Sequence, residues 1–205
     1  LNRNKVYEDI PAFAAQPASL KKDFIMETGK AYGGDILLTY EKHHIYLWAV
    51  YSLNFVERWD GTRTYRPIWD RRHNVNLLAS YTFGKFSSWK ASARWNYGSG
   101  FPFTPTQGFY ERLPFDNGIG QDIPNANGDL GILYGDLNSS RLPDYHRLDL
   151  GLTKTWKFSE YQVLQVDLSV TNAYDRQNIF YFDRVTAKRK DQLPLLPSLG
   201  MSYTF

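Results

Sequence analysis

The chain has no cysteine among its 205 residues, which excludes a disulfide framework and any thiolate metal centre. Such a composition fits an oxidising compartment managed without thiols. No segment approaches the roughly 18 consecutive apolar residues of a membrane-crossing helix. That exclusion leaves membrane-crossing β-strands untouched, because their average hydropathy is low. Charge blocks are also missing: the longest basic run is Lys188 to Lys190, and a net charge of +3 is too small to argue for nucleic acid as a partner. The four histidines are dispersed, and there is no Ser/His/Asp set, paired-acid arrangement, phosphate-cradling glycine loop or HExxH. Catalysis, a cofactor and a bound metal are therefore not expected.

What the chain has in excess is aromatic rings, 15 Tyr, 13 Phe and 6 Trp, residues that collect where an apolar body meets a wet boundary. Apolar positions recur with period two, and helical periodicity is hard to find. Tyr145 to Lys157 places Leu148, Leu150, Leu152 and Trp156 on one face and Arg147, Asp149, Thr153 and Thr155 on the other. Tyr161 to Thr171 repeats the pattern, as do Asp35 to Glu41, Ile45 to Glu57, His73 to Phe83, Trp89 to Tyr97 and Leu196 to Phe205. These are seven strands, and Lys5 to Ile10 reads as the end of an eighth.

Most run well beyond the ~5–6 residues of an ordinary strand and match the ~9–11 tilted residues that cross a bilayer. Short turns (Lys42 to His44, Gly84 to Ser87, Phe158 to Glu160) alternate with long loops (58–72 and 100–144). That alternation gathers short turns at one end and long loops at the other, as in outer-membrane barrels. Aromatics mark both ends: Tyr40, Phe83, Phe86, Trp89, Trp156, Phe158, Tyr161 and Phe205 by the turns, Phe55, Trp59, Tyr97, Phe101 and Tyr145 by the loops. The fold class expected is all-β, an antiparallel transmembrane β-barrel. A soluble lipocalin-like barrel or β-sandwich shows the same alternation with its apolar face inward. Eight strands could also close as a small barrel alone.

Several stretches in order, GKAYGGDILLTYEK, WAVYSLN, YRPIWDRRHNVNLLASY, NYGSGFPFT, RLPDYHRLDLGL, VTNAYDRQNIFYF and LPSLGMSYTF, resemble the C-terminal barrel of TonB-dependent outer-membrane receptors. The likeness is greatest to the group with an N-terminal carboxypeptidase-regulatory-like domain, and it covers about Gly29 to Phe205. NAYDRQN resembles the Asn-x-(aromatic or Leu)-Asp-Arg/Lys signature of that family's penultimate strand. The resemblance implies that 1–205 is the last seven or eight strands of a 22-stranded barrel, whose other strands and plug lie in a longer protein. It implies active uptake of a ligand powered by TonB–ExbB–ExbD acting through the plug, and an integral place in the bacterial outer membrane among lipid and lipopolysaccharide. The outer-membrane assembly machinery, and in this group a surface lipoprotein, are the further partners it implies. A final strand ending on Tyr203 and Phe205 is the assembly signal the family uses, so Phe205 is expected to be the true C-terminus. The competing readings are a non-transporting barrel that displays an adhesive loop, and a soluble carbohydrate-binding β-protein.

The 45-residue loop 100–144 is the segment most suggestive of ligand contact, since loops beyond ~12–15 residues are usually functional or disordered. Its opening rings, Phe101, Phe103, Phe109 and Tyr110, are the expected ligand contacts. The Asp/Asn-rich part at 116–136 fails the EF-hand spacing, with Ile123 and Tyr134 at the terminal ligand positions, and reads as a turn-rich surface. Asp70 and His73 in WDRRH resemble metal ligands only superficially. The segment reads better as polar contacts where the chain returns into a strand, and His43 and His44 as solvated turn residues. Lys90, Arg94, Arg147, Asp149 and Asp167 share the polar face, the lumen side of a barrel.

Overall fold

A computed structural model describes residues 27–112 and 128–205. Among these residues all regular structure is strand apart from one 3₁₀ turn, and every pairing is antiparallel. The strands are β1 (Thr28–Lys42), β2 (Ile45–Trp59), β3 (Thr64–Tyr65), β4 (His73–Phe83), β5 (Trp89–Gly98), β6 (Pro102–Phe103), β7 (Thr106–Arg112) and β8 (Asp129–Tyr134). They continue with β9 (Ser140–Arg141), β10 (Tyr145–Lys157), β11 (Val163–Thr171), β12 (Ile179–Asp183), β13 (Lys188–Asp191) and β14 (Leu196–Thr204). One sheet carries the main body in the order β1-β2-β4-β5-β10-β11-β14, with β3 folded back onto β2. Among the described residues β1 and β14 do not pair, so the sheet is open, with a free edge on each side. The expected eighth strand at Lys5 to Ile10 lies outside the described residues.

Register converts the sequence alternation into two continuous faces, because residues directly opposite in an antiparallel pair share a side. Leu38 faces Ala49, Ala49 faces Leu77, Leu77 faces Trp95, and Trp95 faces Leu148. Leu152 then faces Leu168, and Leu168 faces Leu199. The opposite face runs through Asn76, Asn96 and Arg147, then Gly151, Ser169 and Ser198. A single residue slip in any strand would put a polar row into the apolar face, so the register is set by the pattern itself.

Among the described residues nothing packs over the apolar face. Ile179 is the only buried hydrophobic side chain among the described residues, whereas Leu38 is 65% exposed, Leu199 71% and Met201 75%. A globular domain of this length ordinarily removes about 70% of its unfolded surface from water. Among the described residues this sheet is one layer without a core.

The connections sort by length as the sequence suggests. His43 adopts φ 53° in the β1–β2 turn, Gly84, Phe86 and Ser87 all have positive φ between β4 and β5, and Phe158 to Gln162 closes β10–β11. Long connections occupy the other end, and they are more structured than the sequence suggests. Loop 58–72 begins after β2 has extended to Trp59 and contains β3. Loop 100–144 contains two small antiparallel ladders, β6 with β9 and β7 with β8. A third long connection, 172–195, carries the hairpin β12–β13; the alternation in the sequence ends one strand at Thr171 and begins the next at Leu196, without assigning a structure between them.

Candidate functional site

The long connections interlock into a cap at their end of the sheet. Asn138 donates from Nδ2 to the Arg66 carbonyl at 2.7 Å and from its backbone N–H to Thr104 Oγ1 at 3.0 Å, joining loops 58–72 and 100–144. Arg141 donates to the carboxylate and to the carbonyl oxygen of Asp70, and also to the Gly100 carbonyl at 2.9 Å. Asp70 is fully buried, and Arg72 stands 3.9 Å from its carboxylate. Arg184, just past β12, donates to Thr104 O at 2.6 Å and Thr106 Oγ1 at 3.0 Å while lying 5.2 Å from the Tyr134 ring centroid. Asn172, also fully buried, fixes the start of the third connection. Its Nδ2 donates to the carbonyls of Arg176 and Leu193, and its Oδ1 accepts from the Arg176 N–H.

Asp144 anchors the base of loop 100–144, accepting from Tyr97 Oη at 2.7 Å and from the Gly100 N–H at 3.0 Å. The Tyr97 hydrogen bond is the main reason its carboxyl is held below the usual aspartate range. Asp183 does the same for the β12–β13 turn, accepting from the N–H groups of Val185 and Thr186, and the Thr186 bond chiefly lowers its pKa.

The four rings expected to contact ligand do not converge. Phe101 packs under the Arg71 guanidinium, 4.2 Å from the ring centroid, and Phe103 belongs to the β6–β9 ladder opposite Ser140. Phe109 and Tyr110 are successive residues of β7 and so point to opposite sides. Phe109 and Tyr110 are the more exposed of the four, at 49% and 52%. Tyr110 covers Gly131 across the ladder so closely that a Cβ there would meet its ring at 2.5 Å. The Ca²⁺ possibility in 116–136 falls largely on residues 113–127, outside the described residues; elsewhere no group of three metal-ligating side chains forms. His73 uses Nδ1 with Tyr51 Oη at 2.9 Å, and Asp70 is committed to Arg141.

Below the cap, the polar face of β4, β5 and β10 forms a cleft of about 490 Å³. Arg94 and Arg147, both expected on this face, line it together with Asn74, Asn76, Asn96 and Tyr145. Arg71, which reads from the sequence as one of the polar contacts of WDRRH, and Gln192, which sequence reasoning missed, stand at its rim. Asp149 holds Arg147 at 2.9 Å and accepts from the Asn172 N–H at 3.0 Å. Lys90 and Asp167 lie lower on the same face, each opposite Thr153, whose hydroxyl donates to Asp167 at 2.6 Å.

The apolar face is bounded at the short-turn end by a row of rings. Phe83 stacks on Trp89 at 6.2 Å and Tyr203 on Phe205 at 6.0 Å. Lys154 lies 4.7 Å from the Trp89 ring and 5.5 Å from that of Trp156, with Nζ on Ser88 Oγ at 2.7 Å. This is how a long cationic side chain leaves an apolar surface, with its stem along the rings and its ammonium at their edge. Between β10, β11 and β14 a shallow groove of about 620 Å³ is lined by Leu150, Leu152, Leu168, Val170 and Leu199.

Fold and site together define an all-β protein, an open antiparallel sheet with one apolar face, one polar face and a loop cap. No family model, no curated protein and no solved structure matches the chain.

Proposed function

We propose that the chain is part of the wall of an outer-membrane β-barrel, and that this barrel is a TonB-dependent transporter taking up a ligand into the periplasm. The observation that carries the membrane reading is the apolar face, in register across seven strands, with no core behind it among the described residues. At roughly 25 cal/mol per Å² of apolar surface, leaving such a face in water is untenable for a monomer. Lipid covers it without requiring a second layer. The ring rows and the extracted Lys154 suit the two membrane interfaces.

The free edges on β1 and β14 argue for a larger barrel over a small closed one. An exposed 15-residue edge such as β1 is a pairing site that proteins do not leave uncovered. The remaining barrel strands would take both edges, the polar face would line the lumen against a plug, and the cap would face outward. TonB–ExbB–ExbD would act through that plug, and a surface lipoprotein could dock on the cap. The transport step rests on the resemblance of the ordered motifs from Gly29 to Phe205.

Extraction tests the membrane reading: the protein should stay with membranes through high salt and leave them only in detergent. Release by salt alone would contradict it. The residues encoded before Leu1 test the transport reading, which requires a plug and further strands there.

A further inference from the structure

The cleft under the cap has more cations than partners for them. It gathers the guanidinium groups of Arg71, Arg94 and Arg147 around the amides of Asn74, Asn76 and Asn96. Asp149 pairs with Arg147. Arg94 sits opposite Asp149 in register yet makes no ion pair, and neither does Arg71, among the described residues. Its volume is within the ~300–1,000 Å³ range of small-molecule sites.

Arg71 is held in place rather than left to seek solvent. Its guanidinium lies between the rings of Phe101 and Tyr145, 4.2 and 5.7 Å from their centroids. It also rests on Gly98, where a Cβ would come within 2.4 Å of Nη1 and 2.6 Å of Nε. Its Nε is buried without a hydrogen-bond partner, and burial pulls its pKa below the ordinary arginine value. A fixed, partly desolvated cation without a counter-ion is costly unless an anion joins it. Guanidinium groups recognise oxyanions through paired N–H donors, and the asparagines add donors and acceptors for neighbouring hydroxyl or amide groups.

We propose that this cleft binds a small anionic solute, its carboxylate or phosphate taken by Arg71 and Arg94 and its other polar groups by Asn74, Asn76 and Asn96. The inference deepens the transport reading by naming a substrate class, and it rests on that reading for the access of solutes to the polar face. Binding itself is measurable whether or not uptake occurs.

The test is calorimetric titration of the detergent-extracted full-length protein with citrate, inorganic phosphate and glucose. At least one anion binds saturably and glucose does not; tighter citrate assigns a carboxylate ligand, tighter phosphate a phosphorylated one. Arg94→Gln weakens the anion by about tenfold or more, and Arg94→Lys by less. Gly98→Ala, which displaces Arg71 without removing charge, weakens it too. Arg189→Gln, on the exposed β13, leaves binding unchanged. Absence of saturable anion binding, or undiminished binding in Arg94→Gln, overturns the proposal. So does a wild type that binds neither anion while Arg94→Gln melts at lower temperature, since an acidic group of the protein itself then fills the cleft. Anion binding without cellular uptake overturns the transport reading and leaves the site standing.

Discussion

Arg141 reaches across 71 residues of sequence to the fully buried carboxylate of Asp70, and the same guanidinium donates to the Asp70 and Gly100 carbonyls. One side chain thereby fastens the loop after β2 to the strand pair β6–β9. The order in the cap depends on such long-range polar ties, since it has almost no apolar core to hold it.

Replacing Asp70 with alanine leaves Arg141 facing carbonyls alone and removes a charge-assisted bond at a buried site. The expected loss is about 2 kcal/mol or more of stability, read as a lower denaturant midpoint of the detergent-solubilised protein. Protease nicking of loops 58–72 and 100–144 should rise together in that variant. Nicking of one without the other would show that the pair does not couple them.

Removing the Arg184 clamp should separate two hairpins without disturbing the sheet. Arg184→Ala loses donors to Thr104 and Thr106 and the contact with Tyr134, an effect of about 1–3 kcal/mol confined to the cap. Hydrogen exchange should quicken in β7–β8 and β12–β13 and stay unchanged in β10. Equal quickening in β10 would place the clamp's role elsewhere.

Acid should loosen the cap before the sheet. Asp144 and Asp183 both have folded pKa values below their unfolded ones. Their stabilisation is therefore complete above the unfolded carboxylate pKa of about 3.9 and fades as pH falls through the lower folded values. Limited proteolysis below pH 4 should open the base of loop 100–144 and the β12–β13 turn. Asp144→Asn should open the first of these at neutral pH as well, and an unchanged pattern there would count against the Asp144 anchor.

Phe205 is 91% exposed and touches the sheet mainly through Tyr203. Deleting it should change the stability of already folded protein by no more than about 0.5 kcal/mol, yet markedly lower the amount assembled in the membrane. Ligand affinity should be retained by the molecules that do assemble. Normal assembly would remove the terminal ring's role as a signal.

The sheet was readable from the chain because most of the long strands alternate over much of their length and the turns between them are short. Leu148, Leu150 and Leu152 announce a face without any tertiary information. Strand limits were less legible: β1 begins at Thr28, since Thr28 to Gly34 pairs with β2 through residues of mixed polarity and three glycines. The cap was the least legible part. Its ladders are short, and their order comes from single polar side chains such as Asn138, Arg141 and Arg184, whose partners lie 34 to 80 residues away. Of the rings expected to contact ligand, Phe101 lies against Arg71 and Phe103 in the β6–β9 ladder. Arg71 itself was legible only as one of the polar contacts of WDRRH, because its importance comes from Gly98 and two rings that surround it only after folding.

The absence of cysteine makes the central claim directly measurable. Single cysteines placed in turn from Leu148 to Thr155 can be spin-labelled in the membrane-embedded protein and probed with lipid-soluble oxygen and a water-soluble relaxing agent. Contact with lipid at the apolar face predicts oxygen accessibility that peaks at 148, 150 and 152 and falls at 149, 151 and 153, with the water-soluble agent in opposite phase. Positions 148, 150 and 152 closed to both agents would mean that this face is packed against protein, and the membrane-wall account would fail.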